Sequence, residues 1–331
     1  SLREISRFVK IVEFFQKYFS IKRKCEEIEE DKNTEDDISK TNEQNSKKEN
    51  IEKFDKIISI ICSAYLCYYI RLINEGKRVE FNNMLRPSLI QLVNSVEIFV
   101  PNIQKEEPVK SKDDETIEKN KEDISSKIKS KYLQSFMEDK NIKFFSDFLR
   151  LEEQYLIDKI KLKKGIGKND LLKENLFLMF VAVTTQIPLI IVGKPGTGKS
   201  LSSQLIYNAM RGEYSKDKFF REFPQIMQTY FQGAESTKPE DIEKLFEIAE
   251  NKLNFYKGKE EYKDKLPISM ILFDELGLAE MSESNPLKAL HSKLEYSGSK
   301  EGVSFIGISN YSLDAAKVNR AMNLSVPNLE D

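Results

Sequence analysis

The sequence predicts an α/β fold in its second half, a five-stranded parallel sheet with helices on both faces, preceded by an all-α helical domain. Two observations carry this prediction. After residue 185, short apolar runs rich in β-branched residues alternate with helical stretches, a pattern typical of a parallel sheet covered on both sides. Between the first apolar run and the next helical stretch lies the glycine-rich segment GKPGTGKS, residues 193–200. That strand–loop–helix context is typical of a phosphate-binding loop, or P-loop.

The candidate strands are short and largely uninterrupted by charge. Because both faces of a parallel sheet are buried, its strands are continuous apolar runs and not alternating ones. The predicted strands cover 187–193, 227–232, 268–274, 303–309 and, more briefly, 322–326. The predicted helices that separate most of them cover 199–211, 239–256 and 285–296.

The first half contains helical patterns and no convincing strand. Residues 1–20 place apolar side chains at helical spacing between charges, which predicts an amphipathic helix. Residues 22–50 and 104–127 contain few large apolar side chains, so we interpret them as flexible polar insertions. Solvated helix is the alternative for part of each, because Lys and Glu are good helix formers. Further helices are predicted over 52–75, 86–100 and 131–160.

Composition narrows the function classes. With 52 Lys and Arg against 54 Asp and Glu, the net charge is −2, and no basic excess points to nucleic acid as a partner. The longest uncharged run, 57–70, is shorter than the ~20 residues of a transmembrane helix. Cys25, Cys62 and Cys67 lack disulfide or metal-site spacing, which favours buried thiols in a reducing, cytoplasmic compartment. The chain begins at Ser1 rather than Met, and we expect it to be a piece of a longer protein.

The P-loop segment matches the pattern G-x-x-x-x-G-K-[ST]. Its glycines allow backbone N–H groups to surround phosphate oxygens, and the following helix adds the positive end of its dipole. Lys199 is expected to reach the β- and γ-phosphates, and Ser200 to ligate Mg²⁺. The alternative is a loop kept only for packing. The predicted nucleotide-binding residues are Gly193, Lys194, Pro195, Gly196, Thr197, Gly198, Lys199, Ser200 and Leu201.

The strands predicted over 268–274 and 303–309 have polar side chains at their carboxyl ends. Asp274 is expected to hold the Mg²⁺ shell, and Glu275 to polarise the attacking water. The alternative for Glu275 is to cap the next helix or to pair with a surface lysine. Asn310 is expected to hold the same water against the γ-phosphate, and its alternative is an ordinary turn residue.

Two more polar residues lie in the last fifth of the chain. Arg320 could reach the γ-phosphate of a neighbouring subunit, where such an arginine is worth roughly 10³–10⁵ in rate. A surface salt bridge is the alternative. His291 lies among leucines on a predicted helix, without a partner histidine or cysteine nearby, so we expect it to pack rather than to bind a metal.

The order of P-loop, acidic strand end, asparagine-ending strand and trailing arginine resembles that of AAA+ ATPases. The resemblance narrows to the mysterin family of giant dynein-like AAA+ ubiquitin ligases, through long pieces over roughly 165–331. These pieces are GIGKNDLLKENLFLMF, PLIIVGKPGTGKSLS, FDELGLAEMSESNPLKALHSKLE and GISNYSLDAAKVNRA. In the first half the likeness is looser, and SLREISRFVKIVEFF and ICSAYLCYYIRL are similar to lid sequence of such units.

The resemblance implies an architecture. Residues 1–160 would be the helical lid of a preceding AAA+ unit, with Arg3 as the second sensor of that unit. Residues 161–331 would be an AAA+ P-loop NTPase core that lacks its own C-terminal lid, with Ile166 near the adenine. The implied cofactors are ATP and Mg²⁺, and the implied partners are neighbouring AAA+ units of the same long chain. Ubiquitin machinery would act through other parts of the full-length protein.

We expect this unit to hydrolyse ATP, because every polar position of the motif set is filled: Lys199, Ser200, Asp274, Glu275 and Asn310. Turnover would then rearrange neighbouring units. Two alternatives stay open. One is a non-hydrolysing module of the same ring that keeps ATP as a structural ligand. The other is an AAA+ motor or GTPase of another class, which the family-specific pieces disfavour.

Overall fold

A computed structural model describes residues 2–30, 41–69, 75–95, 144–296 and 302–325 of the chain. Its α-helices in chain order are α1 (Leu2–Glu30), α2 (Thr41–Ala64), α3 (Glu75–Ser95), α4 (Phe144–Asp158), α5 (Asp170–Thr185), α6 (Lys199–Ala209), α7 (Lys218–Arg221), α8 (Pro239–Lys257), α9 (Leu276–Glu280), α10 (Leu287–Tyr296) and α11 (Ala315–Val318). A π-helical turn, Tyr65–Tyr69, follows α2 directly. The strands are β1 (Leu189–Val192), β2 (Ile226–Gln232), β3 (Ile268–Asp274), β4 (Ser304–Ser309) and β5 (Met322–Ser325).

All five strands are parallel and form one sheet in the order β2-β3-β4-β1-β5. The strand before the P-loop, β1, lies between β4 and β5, with Ile190 paired to both Gly307 and Asn323. Because the strands are parallel, their carboxyl ends lie along one edge of the sheet and their amino ends along the opposite edge. We call these the carboxyl edge and the amino edge.

The predicted fold class is confirmed. Each predicted strand overlaps an observed one, and 268–274 coincides with β3. Strands β3 and β4 are buried over almost their whole length, which explains their uninterrupted apolar sequence. The predicted helices of the second half correspond to α6, α8 and α10. Helices α8 and α10 cover one face of the sheet and share a hydrophobic cluster with it.

The structure corrects the interpretation of 22–50 as a flexible insertion. Helix α1 continues through the first part of this stretch, and α2 already begins at Thr41, so the alternative of helix holds at both ends. The polar composition suggested a flexible segment at these ends, but Lys and Glu are also good helix formers. Residues 31–40 between the two helices, and the second proposed insertion at 104–127, lie outside the described residues.

A buried ion pair accompanies the extension of α1. Lys22 Nζ lies 2.7 Å from Glu152 Oε2 on α4, and Tyr18 donates to the same oxygen at 2.8 Å. The Lys22 ammonium also lies 4.1 Å from the ring centroid of Tyr155. A buried charge is tolerated only when it is paired and hydrogen-bonded, and this cluster meets that condition while it joins α1 to α4.

The other predicted helices of the first half have shifted ends. The stretch 52–75 corresponds to the end of α2 and the π-helical turn, and 86–100 to the end of α3, which begins eleven residues earlier at Glu75. The stretch 131–160 contains α4, and its residues before 144 lie outside the described ranges. None of the helices within the described ranges combines the length and the apolarity that a bilayer crossing requires.

The second face of the sheet is continuous with the helices of the first half. One hydrophobic cluster includes residues of α1, α2, α4, α5 and the sheet, and Cys25, Cys62 and Cys67 are buried in it. Aromatic rings of α1 pack directly on α5: the Phe14 and Phe180 centroids are 5.7 Å apart. The division into a lid and a core near residue 160 stays a prediction, although that position does fall between α4 and α5.

Helix α5 was not among the predicted elements. It is buried on nearly all sides, because α1 covers one side and the sheet the other, so its sequence lacks the one-sided apolar stripe of a surface helix. Its ends are well defined. Asn169 caps the start, with its side chain accepting from Leu172 N at 2.8 Å, and Gln186 ends the helix with a left-handed φ of 56°.

Candidate nucleotide-binding site

The P-loop leaves β1 at the carboxyl edge and leads into α6. Gly196 and Gly198 have φ angles of 85° and 80°, in the left-handed region that glycine tolerates best. Gly198 is also the N-cap residue of α6, so the loop ends at a helix N-terminus whose N–H groups suit a phosphate. The N–H of Gly193 donates to Ser309 O at the end of β4, at 3.1 Å, and ties the loop to the neighbouring strand.

The side chain of Lys199 is folded back onto the P-loop. Its Nζ donates to the carbonyl oxygens of Gly193 at 2.5 Å and of Lys194 at 2.8 Å, and to Thr197 Oγ1 at 3.1 Å. Burial lowers the pKa of this ammonium, and the two carboxylates at the end of β3 act in the opposite direction. The loop therefore holds a cation at its centre, where a phosphate group would lie.

Ser200 and Asp274 face each other beside the loop. Ser200 Oγ lies 3.4 Å from Asp274 Oδ2. Two oxygen ligands at about 2.1 Å from one Mg²⁺ ion lie about 3 Å apart when they are adjacent in its octahedron. The hydroxyl and the carboxylate are hard oxygen donors at nearly that separation, so this pair fits a Mg²⁺ ion that also binds phosphate and water.

Glu275 is held by its backbone and by one side-chain hydrogen bond. Its φ of 54° is unusual for a residue other than glycine. Asn310 Nδ2 donates to Glu275 Oε1 at 2.8 Å, and the N–H of Glu275 donates to Asp274 Oδ1 at 3.0 Å. Although Glu275 is the N-cap residue of α9, its side chain makes no capping hydrogen bond. The ends of β3 and β4 therefore bring the two carboxylates and the amide together.

Close packing fixes the backbone at this turn. A Cβ atom on Gly233 would lie 2.5 Å from the carbonyl oxygen of Glu275 and 2.8 Å from Cε2 of Phe273. A Cβ atom on Gly277 would lie 2.7 Å from Ser309 Oγ. Real Cβ atoms do not approach other heavy atoms this closely, and the atom that Gly233 would meet is a backbone oxygen, so the turn that presents Glu275 depends on glycine there; at Gly277 the Ser309 side chain would also have to shift.

Arg3 and Arg320 lie at the amino edge, away from the P-loop of this unit. Arg3 is in the first turn of α1, and Arg320 lies two residues before the start of β5. Both line one cleft with Ser6, Arg7, Lys10, Gln186, Ile187, Pro188 and Leu294. Arg7 donates from Nη2 to the carbonyl oxygen of Arg320 and pairs with Glu4 at 3.3 Å. The structure thus separates the two predicted arginines from Lys199 and brings them to each other.

Three remaining positions complete the predicted set. Ile166, in the loop before α5, and Leu201, in the first turn of α6, are partly buried against the hydrophobic cluster that α5 shares. His291 does more than pack: its Nε2 lies 3.2 Å from Oδ1 of Asn319, which ends α11. In the part of the chain that the structure describes, no three His, Cys, Asp or Glu residues are grouped as metal ligands.

Sequence reasoning missed one residue that contacts the P-loop. Asn175, on α5, is completely buried, and its Nδ2 donates to Thr197 O at 3.0 Å. The available signal was a single amide inside the apolar segment NLFLMFVAV. That signal marks a buried polar group, but it does not tell which loop the group reaches.

Comparison with known proteins gives the family. The family model described as the RNF213 AAA domain matches residues 165–331, about half of the chain. The E3 ubiquitin-protein ligase RNF213 of Homo sapiens is 36% identical over 187 residues, which is 54% of this chain and 3% of that protein. The E3 ubiquitin-protein ligase rnf213-beta of Danio rerio is 39% identical over 182 residues, 52% of this chain and 3% of that protein. The match therefore spans only a small part of these relatives.

The solved structures that align with this chain do so only weakly. C. elegans PCH-2 aligns with a TM-score of 0.30 at 14% identity, over 54% of this chain and 48% of that one. Rhizobiales Trip13 aligns with a TM-score of 0.28 at 17% identity, over 54% and 55%. At such scores the likeness carries no argument. The resemblance to the mysterin family is confirmed by the family model and by the identity to the RNF213 proteins: the chain belongs to the RNF213 AAA domain family.

Proposed function

We propose that this chain is an ATP-binding and ATP-hydrolysing AAA+ module of an RNF213-like E3 ubiquitin ligase, and that its turnover rearranges neighbouring units. The observation that carries this proposal is the meeting of five polar side chains from three strand ends at the carboxyl edge: Lys199, Ser200, Asp274, Glu275 and Asn310. A loop kept only for packing would not require a cation, two carboxylates and an amide at one place.

The P-loop accounts for binding. Its N–H groups and the N-terminus of α6 would surround the phosphates. The Lys199 ammonium would exchange the carbonyl oxygens of Gly193 and Lys194 for β- and γ-phosphate oxygens, which are stronger partners because they are charged. Ile166 would lie beside the adenine, since its loop leads into the helix that underlies the P-loop.

The metal and the water would be held by the ends of β3 and β4. Ser200 and Asp274 would hold Mg²⁺, which would neutralise charge on the phosphates when bound. Glu275 would accept a proton from the attacking water, whose oxygen forms the new bond to phosphorus as the bond to the leaving ADP oxygen breaks. Asn310 donates to the Glu275 carboxylate and would also orient that water.

The arginines would serve another nucleotide. Arg320 would reach in trans the γ-phosphate of a nucleotide bound by a preceding unit, and Arg3 would act as the second sensor of that same unit. Both arginines line one cleft at the amino edge, whereas the P-loop of this chain lies at the carboxyl edge. This separation supports the proposal. Neighbouring AAA+ units of a longer chain are accordingly the proposed partners.

The test is a pair of substitutions at the carboxyl edge. Lys199→Ala should abolish Mg·ATP binding by calorimetry on this chain. Glu275→Gln should keep binding within a few-fold while turnover in the full-length protein falls by about 10²–10⁴-fold, the usual contribution of a general base. Glu243→Gln, an exposed residue of α8, is the matched control. Unchanged turnover in the Glu275 variant would refute hydrolysis at this site.

A second candidate is a module that holds ATP as a structural ligand without hydrolysing it. The hydrogen bond from Asn310 favours it, because a carboxylate held by an amide at 2.8 Å is less available to a water molecule. Tight binding with no turnover in the parent protein would select this candidate. Competition between adenine and guanine nucleotides would separate both from a GTPase of another class.

The proposal also covers the full-length protein and its location in the cell. The relatives are named as E3 ubiquitin-protein ligases, so we propose that other parts of the full-length protein engage the ubiquitin machinery. The sparse cysteines, all three of them buried, support a reducing, cytoplasmic location. Fractionation of cells that express the full-length protein would test this location.

A further inference from the structure

A buried amide lies directly behind the P-loop. Asn175 is 0% exposed, on a helix whose following residues, from Leu176 to Val183, are all apolar and buried. Its Nδ2 donates to the carbonyl oxygen of Thr197 at 3.0 Å. Its Oδ1 is buried as well, and no described residue donates a hydrogen bond to it. A buried amide oxygen without a hydrogen bond costs free energy of folding, and an apolar residue at this position would avoid that cost. We therefore attribute the presence of Asn175 to its hydrogen bond with the loop.

The contact reaches the most constrained part of the loop. Thr197 Oγ1 donates to Lys194 O at 2.8 Å and accepts from Lys199 Nζ at 3.1 Å. The carbonyl of Thr197 and the N–H of Gly198 belong to one planar peptide group, in which the two bonds point in opposite directions when the peptide is trans. The structure contains no cis peptide bond among its described residues. A hydrogen bond that holds the carbonyl inward therefore turns the Gly198 N–H outward, to the phosphate side.

The helix that carries Asn175 is itself fixed in place. Phe177 and Phe180 pack on the aromatic rings of α1, with centroids 6.2 Å and 5.7 Å from those of Phe15 and Phe14. At its start α5 also lies close under the loop, because a Cβ on Gly198 would be 3.4 Å from a side-chain methyl of α5. The amide is thus a rigid support for the loop and not a mobile surface group.

We propose that Asn175 is a positioning residue for the phosphate site: it sets the orientation of the Thr197–Gly198 peptide so that the Gly198 N–H can donate to a phosphate oxygen. Without the amide the peptide can rotate, because glycine tolerates both signs of φ, and the loop loses its prepared geometry. This proposal rests on the proposed nucleotide binding. It adds a support outside the motif, twenty-two residues before the carbonyl that it holds.

The experiment compares Asn175→Leu with Val181→Ala in this chain. Both change a fully buried residue of α5, but only the first removes a hydrogen bond to the loop. Asn175→Leu should raise the Kd of Mg·ATP by tenfold or more in calorimetry, while Val181→Ala stays within twofold even if its Tm falls. If Asn175→Leu does not fold, Asn175→Ser replaces it, because serine is polar but too short to reach the carbonyl.

A second measurement does not depend on ATP. The NMR order parameter of the Gly198 N–H in the nucleotide-free chain should be lower in the Asn175 variant than in the parent, because the peptide can rotate, and unchanged in Val181→Ala. A Kd within twofold of the parent, or losses of affinity that follow Tm equally in both variants, would overturn the positioning role. If the parent does not bind Mg·ATP, the proposed function fails, and the order parameter of the Gly198 N–H alone decides whether Asn175 holds the loop.

Discussion

The two edges of the sheet carry opposite chemistry. At the carboxyl edge a lysine is combined with hard oxygen ligands and an amide, contributed by Lys199, Ser200, Asp274, Glu275 and Asn310. At the amino edge the cleft is lined by four cations, Arg3, Arg7, Lys10 and Arg320. Under the proposed function, the first set would bind the phosphates and their metal and accept a proton, and the second set would stabilise the charge that develops on the γ-phosphate of a neighbouring unit.

Under the proposed function, the module would carry the two halves of a nucleotide site at opposite edges of one sheet. The strands between them are parallel and buried, so neither set can move toward the other without unfolding the core. Units that stack head to tail bring the amino edge of one against the carboxyl edge of the next, a heterologous contact.

The largest effect is expected from Arg320→Ala. Turnover in the full-length protein should fall by about 10³-fold or more, the usual value of an arginine supplied to a neighbouring γ-phosphate. The affinity of the P-loop of this chain for Mg·ATP should stay within twofold of the parent, because the arginine lies at the other edge. Steady-state ATPase rates and calorimetry measure the two quantities.

The control for this variant is Lys317→Ala, a cation on the preceding short helix that pairs with Glu280 at 3.6 Å. It removes the same charge nearby but outside the cleft, and it should leave turnover unchanged. A loss of affinity at the P-loop in Arg320→Ala would contradict the separation of the edges, and equal losses of turnover in the two variants would contradict a specific role for the arginine.

A smaller effect is expected from Gly233→Ala at the carboxyl edge. The new methyl group would meet the carbonyl oxygen of Glu275 at 2.5 Å, so the turn must shift, at a cost of about 3 kcal/mol in the free energy of unfolding. Gly258→Ala is the matched control, since a Cβ there has nothing within 4 Å and φ is −86°. Urea unfolding should separate the two variants, and equal midpoints would show that the turn around Glu275 is not tightly packed.

Much of the fold was predictable because its signals are local. A buried parallel strand needs an uninterrupted apolar run, and β3 is such a run from end to end. Helix α5 was missed because it too is buried on nearly all sides. Such a helix has no apolar stripe, so its sequence lacks the 3.6-residue alternation of apolar and polar side chains by which a surface helix is identified. The end of α1 was mispredicted because its Lys and Glu residues suit a solvated helix as well as a flexible segment, and because the ion pair of Lys22 with Glu152, more than a hundred residues away in sequence, cannot be seen in composition.

The candidate site was predictable where topology forces side chains together. Asp274 and Asn310 lie at the carboxyl ends of the adjacent parallel strands β3 and β4, so their proximity to the P-loop follows from the strand order. Asn175 could not be found in this way, because its role depends on which loop packs over α5. The meeting of Arg3 and Arg320 likewise depends on how α1 docks against the sheet, which no local pattern records.

The smallest effect concerns acidity behind the carboxyl edge. Glu153, on α4, is buried beside α5, and burial followed by the nearby carboxylate of Glu174 raises its pKa from 4.5 to about 8, with Asp170 adding to the rise and Arg150 and Lys173 opposing it. Because the folded-state pKa is the higher one, folding favours the protonated acid. Its stabilising contribution is complete below pH 4.5 and is lost as the pH rises toward 8.

Replacement of Glu153 by glutamine should remove this pH dependence. The variant and the parent should have the same free energy of unfolding at pH 5, and at pH 8 the variant should be more stable by about 1–2 kcal/mol, less than the full shift because the folded chain relaxes around the charge. Urea unfolding at pH 5, 6.5 and 8 measures this, with the exposed Glu243→Gln as control. Parallel stability curves for Glu153→Gln and the parent would mean that the carboxylate is solvated. The helices that support the P-loop would then contain no buried carboxyl group at Glu153, and the acidic side chains would be confined to the solvent-accessible carboxyl edge.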